Sequence, residues 1–189
     1  MNPRSGSETA SASAGRRPAW RVIIILAAIA AAVIALDQIT KAIVVSVMTE
    51  GEPFHVWDNI VILDFVRNPG AAFSLASGST WIFSVLAAAV TVVIIWLARR
   101  LRSVGWAVAF GLLLGGTLGN LSDRLFREPG FAVGWVIDFI NLPWLMPAIF
   151  NVADIAITSS VVVLVLLVLT GRNVDGTRGA REKSSRNRT

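Results

Sequence analysis

Apolar residues run almost without interruption from Trp20 to Leu36, Trp81 to Ala98, Val104 to Leu121 and Ala148 to Leu169, while polar positions gather between these runs and at both ends. A helix rises about 1.5 Å per residue, so about 20 such residues cross a hydrocarbon layer roughly 30 Å thick. The pattern predicts four spanning helices, the first continuing through Asp37 to Val47. In the third, Gly111, Gly115 and Gly119 recur every four residues on one stripe, a spacing that lets a neighbouring helix backbone come close. Arg16, Arg17 and Arg21 around the start of the first run also suit a cleaved secretory leader, but the helical pattern continues past any cleavage point and a retained helix is expected.

The connections carry pattern of their own. Asn59 to Val66 (NIVILDFV) is rich in β-branched and aromatic residues and is followed by Asn68-Pro69-Gly70, a turn signal. It predicts a small sheet at the membrane surface. Phe131 to Pro147 holds Trp135, Phe139 and Trp144 with Pro143 and Pro147, which suits an interfacial segment along the headgroups. The expected fold class is an all-α membrane protein: four transmembrane helices with a small extracytoplasmic β-sheet and an interfacial segment. Residues 1–18 and 171–189 read as disordered tails, the second basic, around a membrane domain over 19–170.

Composition agrees with that pattern: 54% of the residues are hydrophobic and the mean hydropathy is +0.67, too apolar for a domain surrounded by water. The net charge of +5 does not imply nucleic acid, because the cations flank apolar runs. Arg4, Arg16, Arg17 and Arg21, then Arg99, Arg100 and Arg102, then the basic residues from Arg172 to Arg188 share one side of a four-helix chain. That side is the cytoplasm by the positive-inside rule, so both termini are expected there. The other connections hold Glu50, Glu52, Asp58, Asp64, Glu128 and Asp138 but only Arg67 and Arg127 as cations, and are expected to face outward. With no cysteine and one histidine, His55, the chain offers neither a thiolate nucleophile nor a multi-histidine metal site, and no metal or cofactor is expected.

Ionisable side chains within spanning segments cost about 2.5–3.5 kcal/mol each on insertion scales, so each needs a partner or a task. Asp37 and Lys41 stand four apart on one helical face, as a neutralised pair or as part of a site. Asn120, Asp123 and Arg124 close the third helix, as an interfacial cap or as functional groups. Asn151 and Asp154 share a face near the outward end of the fourth helix, and the aromatic segment can deliver Asp138 to a similar depth. Two carboxylates meeting in a desolvated site cannot both ionise easily, so they share a proton and can do acid and base work together. Peptide hydrolysis needs both. Two other readings fit the same residues: a transporter or lipid-handling protein relaying protons through Asp37, Asp138 and Asp154, and a noncatalytic assembly factor packing through its glycine stripe.

Five blocks in order, Asp37-Gln-Ile-Thr-Lys41, Arg67-Asn-Pro-Gly-Ala-Ala-Phe-Ser74, Gly115-Gly-Thr-Leu-Gly-Asn-Leu-Ser-Asp-Arg124, Val136-Ile-Asp-Phe-Ile140 and Phe150-Asn-Val-Ala-Asp154, make the chain resemble the lipoprotein signal peptidase (signal peptidase II) family over roughly Trp20 to Thr170. The resemblance implies an aspartic peptidase of the bacterial cytoplasmic membrane that removes signal peptides from diacylglyceryl-modified prolipoproteins. It assigns catalysis to Asp138 and Asp154, and supporting or substrate-contacting roles to Asp37, Lys41, Asn68, Gly70, Asn120, Asp123, Arg124, Asn151 and Ala153. Its implied partners are the lipid-modified substrate and membrane lipids. The stretch from Phe126 to Trp135 is longer than the resemblance leads one to expect.

Overall fold

The computed structural model describes residues 19–70 and 80–177, which form four helices and three strands: α1 Ala19–Val47, β1 Phe54–Trp57, β2 Val61–Asn68, α2 Thr80–Ala98, α3 Val104–Phe126, β3 Val136–Asn141 and α4 Val152–Leu169. The expected tail at 1–18, residues 178–189 of the expected tail at 171–189, and residues 71–74 of the second sequence block lie outside the described residues. All four helices are long and apolar enough to cross a membrane, and α1, with 29 residues, reaches about 43 Å.

α3 is the centre of the bundle. It packs against α1, α2 and α4, and its central span is far more buried than theirs. The glycine stripe explains how. A Cβ at Gly111 would meet Leu26 O and Ile29 at 2.9 Å, and one at Gly115 would meet Ala30 O at 2.9 Å, so α1 lies against bare α3 backbone. Gly116 does the same for α4, whose Ala153 O lies 2.5 Å from the position of a missing Cβ. At one end of the bundle Val22, Leu26 and Ala30 of α1, Ile94 of α2 and Ala107, Phe110 and Leu114 of α3 form an apolar core. Lipid-facing residues such as Ile24, Leu86, Val92 and Val168 are exposed, as expected for helices immersed in hydrocarbon.

At the other end the three strands form an antiparallel sheet in the order β1-β2-β3. Phe65 of β2 with Ile137 and Phe139 of β3 close over Val44 of α1. Three boundaries differ from the sequence pattern. α3 runs on to Phe126, past the apolar run that stops at Leu121; Asn120, Asp123 and Arg124, expected to close the helix, lie in its last turns, where Asn120 and Asp123 find partners inside the protein. α4 begins at Val152, after Asn151 has capped it, rather than at Ala148. Of the expected interfacial segment, Val136–Asn141 is a strand of the sheet, and the exposed Trp144, Leu145 and Met146 sit on the turn beyond it. The tail boundary also moves: Val174 O accepts from Arg102 N at 3.1 Å and Trp106 Nε1 donates to Arg172 O at 3.0 Å, so residues through Thr177 are tied to the start of α3.

The long connection after α3 doubles back over that helix's end. Gly134 N donates to Arg124 O at 3.0 Å, and a side chain on Gly134 would collide with Asp123 O. Ser84 of α2 holds the Ala132 carbonyl at 2.7 Å. The chain thus leaves α3, folds onto its last turn and enters β3 directly beside it.

Candidate active site

Asp138 lies in the middle of β3 and Asp154 in the first turn of α4. The backbone brings these elements together: Phe139 N and Ile140 N both donate to Phe150 O, at 3.0 and 2.8 Å, and Phe150 N returns a bond to Ile140 O at 3.0 Å. Asn151 stands at that junction in an extended conformation and caps α4. Its Oδ1 accepts from Asp154 N at 3.1 Å while its own N donates to Asp154 Oδ2 at 3.2 Å, a reciprocal capping box. Its Nδ2 donates to Asp138 Oδ1 at 2.6 Å and to Asn120 Oδ1 at 3.1 Å. One residue therefore bonds to both acids.

Each carboxylate has a second amide. Asn68, the last residue of β2, donates to Asp138 Oδ2 at 2.8 Å, and Asn120 of α3 donates to Asp154 Oδ1 at 2.8 Å. The Asn68 amide is oriented by Gly70, whose N donates to Asn68 Oδ1 at 2.7 Å from a backbone with φ of +91°. A Cβ at Gly70 would stand 2.8 Å from both Arg124 Nη2 and the Phe83 ring, so glycine also leaves room for the guanidinium. Asp138 is only 2% exposed. Burial pushes its carboxyl from 3.8 up to about 6; the Asn68 amide opposes the shift, the charge of Asp154 reinforces it, and the Asn151 amide and Lys41 oppose it. Arg124 stacks 5.2 Å above Phe83, and its charge acts on Asp138, Asp123 and Asp154. Its buried Nη1 has no hydrogen-bond partner among the described residues.

A second polar cluster supports the first. Fully buried Lys41 reaches Asp37 Oδ2 at 2.9 Å, Asp123 Oδ2 at 2.8 Å and Asn120 Oδ1 at 3.0 Å. Asp37 Oδ1 accepts from Ala153 N at 3.0 Å, which ties α1 to the first turn of α4. Asp123 accepts from Arg127 Nε at 2.6 Å and from Ile137 N at 3.3 Å, which ties the end of α3 to β3. Lys41, Arg124 and Arg127 supply three positive charges against the four carboxylates Asp37, Asp123, Asp138 and Asp154, so one retained proton leaves the whole assembly neutral. A pair of carboxyls holding one proton between them is suited to acid–base chemistry on an amide.

The family model described as signal peptidase (SPase) II matches residues 29–170. The chain belongs to the signal peptidase II family. A lipoprotein signal peptidase of Leifsonia xyli subsp. xyli is 56% identical over 156 residues, covering 82% of this chain and 72% of that relative. One from Mycobacterium avium is 42% identical over 180 residues, covering 95% of this chain and 97% of the relative. A solved bacterial membrane enzyme, determined by the in meso method at 1.9 Å resolution, superposes with a TM-score of 0.68 at 28% identity, over 79% of this chain and 93% of that one. The fold is thus shared with that membrane enzyme over most of both chains.

Every site residue anticipated from the sequence lies in one of the two clusters, with roles more divided than the list suggests. Asn68, Asn120 and Asn151 touch the acidic pair. Asp37, Lys41, Asp123 and Ala153 form the supporting cluster, so the side chain of Asp123 bonds to different partners from those its neighbour Arg124 meets. Three contributors were not singled out. Gln38 Nε2 lies 3.0 Å from Asp37 Oδ2 and 3.2 Å from Asp123 Oδ1, Arg127 pairs with Asp123, and Phe83 carries Arg124. Of these only Gln38 left a signal in the sequence: an amide within an apolar span, where a polar side chain needs partners.

Proposed function

We propose that this chain is an aspartic endopeptidase that removes signal peptides from diacylglyceryl-modified prolipoproteins, with Asp138 and Asp154 as its catalytic pair. The observation that carries the reading is the junction at Asn151, where a single residue bonds to both acids in a protein of the signal peptidase II family.

In this reading the ionised carboxylate takes a proton from water as the water oxygen bonds to the scissile carbonyl carbon, and the protonated one donates to the carbonyl oxygen. Asp138, whose proton burial favours, is the donor, and Asp154 is the base. The resulting gem-diol collapses as one of its hydroxyls returns a proton to the now ionised Asp138, the C–N bond breaks, and the leaving nitrogen takes the proton that Asp154 had gained. Asn68, Asn120 and Asn151 hold the two carboxylates in place throughout. The Nη1 of Arg124, which has no partner among the described residues, is offered to a backbone carbonyl of the bound peptide.

The topology that accompanies this reading has both termini in the cytoplasm and the acids near the outer leaflet. Arg99, Arg100, Arg102 and Arg172 lie at the bundle end opposite the sheet, in accord with the positive-inside rule. A signal helix and its acyl chains held in the same leaflet make attack on the scissile bond effectively intramolecular.

The test is cleavage of a lipidated prolipoprotein by membranes carrying Asp138→Asn or Asp154→Asn. Each variant is expected to insert normally and to lose activity by at least about a thousandfold. Normal processing by both would end the aspartic mechanism.

A further inference from the structure

The Lys41 ammonium has three donors and no acceptor capacity, and all three are used: on Asp37 Oδ2, Asp123 Oδ2 and Asn120 Oδ1. The two carboxylates account for the buried charge. The third bond does not serve neutralisation, because Asn120 is uncharged. Its oxygen already accepts from Asn151 Nδ2 at 3.1 Å, so the Lys41 bond fills the remaining lone pair. The other end of the same amide, Nδ2, is thereby left to face Asp154 Oδ1 at 2.8 Å.

An amide's oxygen and nitrogen are nearly equal in size, so packing alone does not choose between its two orientations; the hydrogen-bond partners do. Reversed, Asn120 would set its NH2 against the ammonium and against Asn151 Nδ2, and its oxygen against the Asp154 carboxylate. Asn151 is a weaker reference for this choice than Lys41, because Asn151 also bonds to Asp138, whose proton changes during the reaction. An ammonium donates in every state. Its position is fixed in turn by Asp37 and Asp123, which Gln38 Nε2 bridges from the other side.

We propose that Lys41 is a positioning residue for peptide cleavage: its ammonium fixes which end of the Asn120 amide meets Asp154, and so keeps that carboxylate hydrogen-bonded by a donor and aimed at its partner. This rests on the reading of Asp138 and Asp154 as the catalytic pair.

The experiment is steady-state kinetics of the full-length protein on a lipidated prolipoprotein, comparing wild type, Lys41→Met, Asn120→Ala and the double variant. Each single change is expected to lower kcat about a hundredfold with little change in KM, the scale of a misplaced catalytic group. If Lys41 acts through Asn120, the double variant falls no further than the lower single one, within about twofold. Losses that multiply would overturn the proposal, since a merely structural role for Lys41 is independent of Asn120. Should Lys41→Met fail to accumulate, Asn120→Asp decides: it keeps an acceptor for Lys41 but turns oxygen toward Asp154, and its kcat is expected to be at least as low as that of Asn120→Ala. Wild-type kcat in Asn120→Asp would overturn the proposal. Full activity in Asp138→Asn and Asp154→Asn would instead remove the catalytic pair on which it rests, so the two failures are told apart.

Discussion

The α1–α3 interface is one continuous contact with two different chemistries. In one half, Gly111 and Gly115 bring α3 against the backbone at Leu26 and Ala30, among Val22, Phe110 and Leu114. In the other half the same stripe continues to Gly119, where a Cβ would stand 2.6 Å from Asp37 Oδ2, and the contact becomes Asp37, Lys41, Asn120 and Asp123. The apolar half is held by close packing, whose errors cost stability in proportion to lost contact. The polar half is held by saturated partners, where removing one member leaves another charged or polar group buried and unpaired. A single helix pair thus separates what keeps the bundle together from what fixes the geometry of the acids.

Several experiments can break this division or sharpen it. The largest effect is expected for Asn151→Ala, which removes the bonds to Asp138 and Asn120 together with the cap of α4. Turnover should fall about a hundredfold or more, with about 1–3 kcal/mol lost in stability; cleavage assays and thermal unfolding in detergent report the two separately. Leu26→Ala, in the apolar half, should cost about 2–5 kcal/mol yet leave turnover of the folded fraction intact. The sharper contrast is between two glycines on the stripe. Gly111→Ala and Gly119→Ala should each cost about 1–3 kcal/mol by overpacking, but only Gly119→Ala, which displaces Asp37, should slow turnover. Equal slowing by both would show that the halves are not separable.

A pH experiment addresses the polar half directly. The folded value of Asp138, about 6, lies above its ordinary 3.8, so folding favours the protonated form. That contribution is fully present below about 3.8 and is lost as pH rises through about 6, a change of about 3 kcal/mol at most. The unfolding temperature should therefore decline across this window, and Asp138→Asn should flatten the decline. The smallest effect is expected at the Glu50–Arg67 pair, 3.2 Å apart and partly exposed on both sides. Glu50→Gln should cost less than about 1 kcal/mol, and high salt should hide the difference.

The division also explains what was legible in the sequence. The four helices and the small-residue stripe of α3 follow from apolar run length and glycine spacing, both local properties. The end of α3 was legible as the polar group Asn120, Asp123 and Arg124 that closes it; that Lys41, Asp154, Arg127 and Phe83 receive these side chains was not, because those partners come from elsewhere in the fold or sit beyond the apolar run. β3 was hidden for a related reason. Val136 to Phe139 are all buried, so the alternation that marks a half-exposed strand is missing, and its aromatic neighbours read as an interfacial segment. The acids themselves were legible as costly residues near apolar runs. The task of Asn151 at their junction was not, because it depends on the pairing of Ile140 with Phe150 across a loop.

That pairing reaches beyond catalysis. Because Ile140 and Phe150 close the loop at its neck, the spacing of the acids does not depend on the length or composition of what projects beyond, including the exposed Trp144, Leu145 and Met146. Doubling such a loop adds only about 0.6 kcal/mol of closure entropy. The turn is thus expected to accept evolutionary elaboration, or a grafted epitope or fluorescent tag, while Asp138 and Asp154 beneath it stay in register.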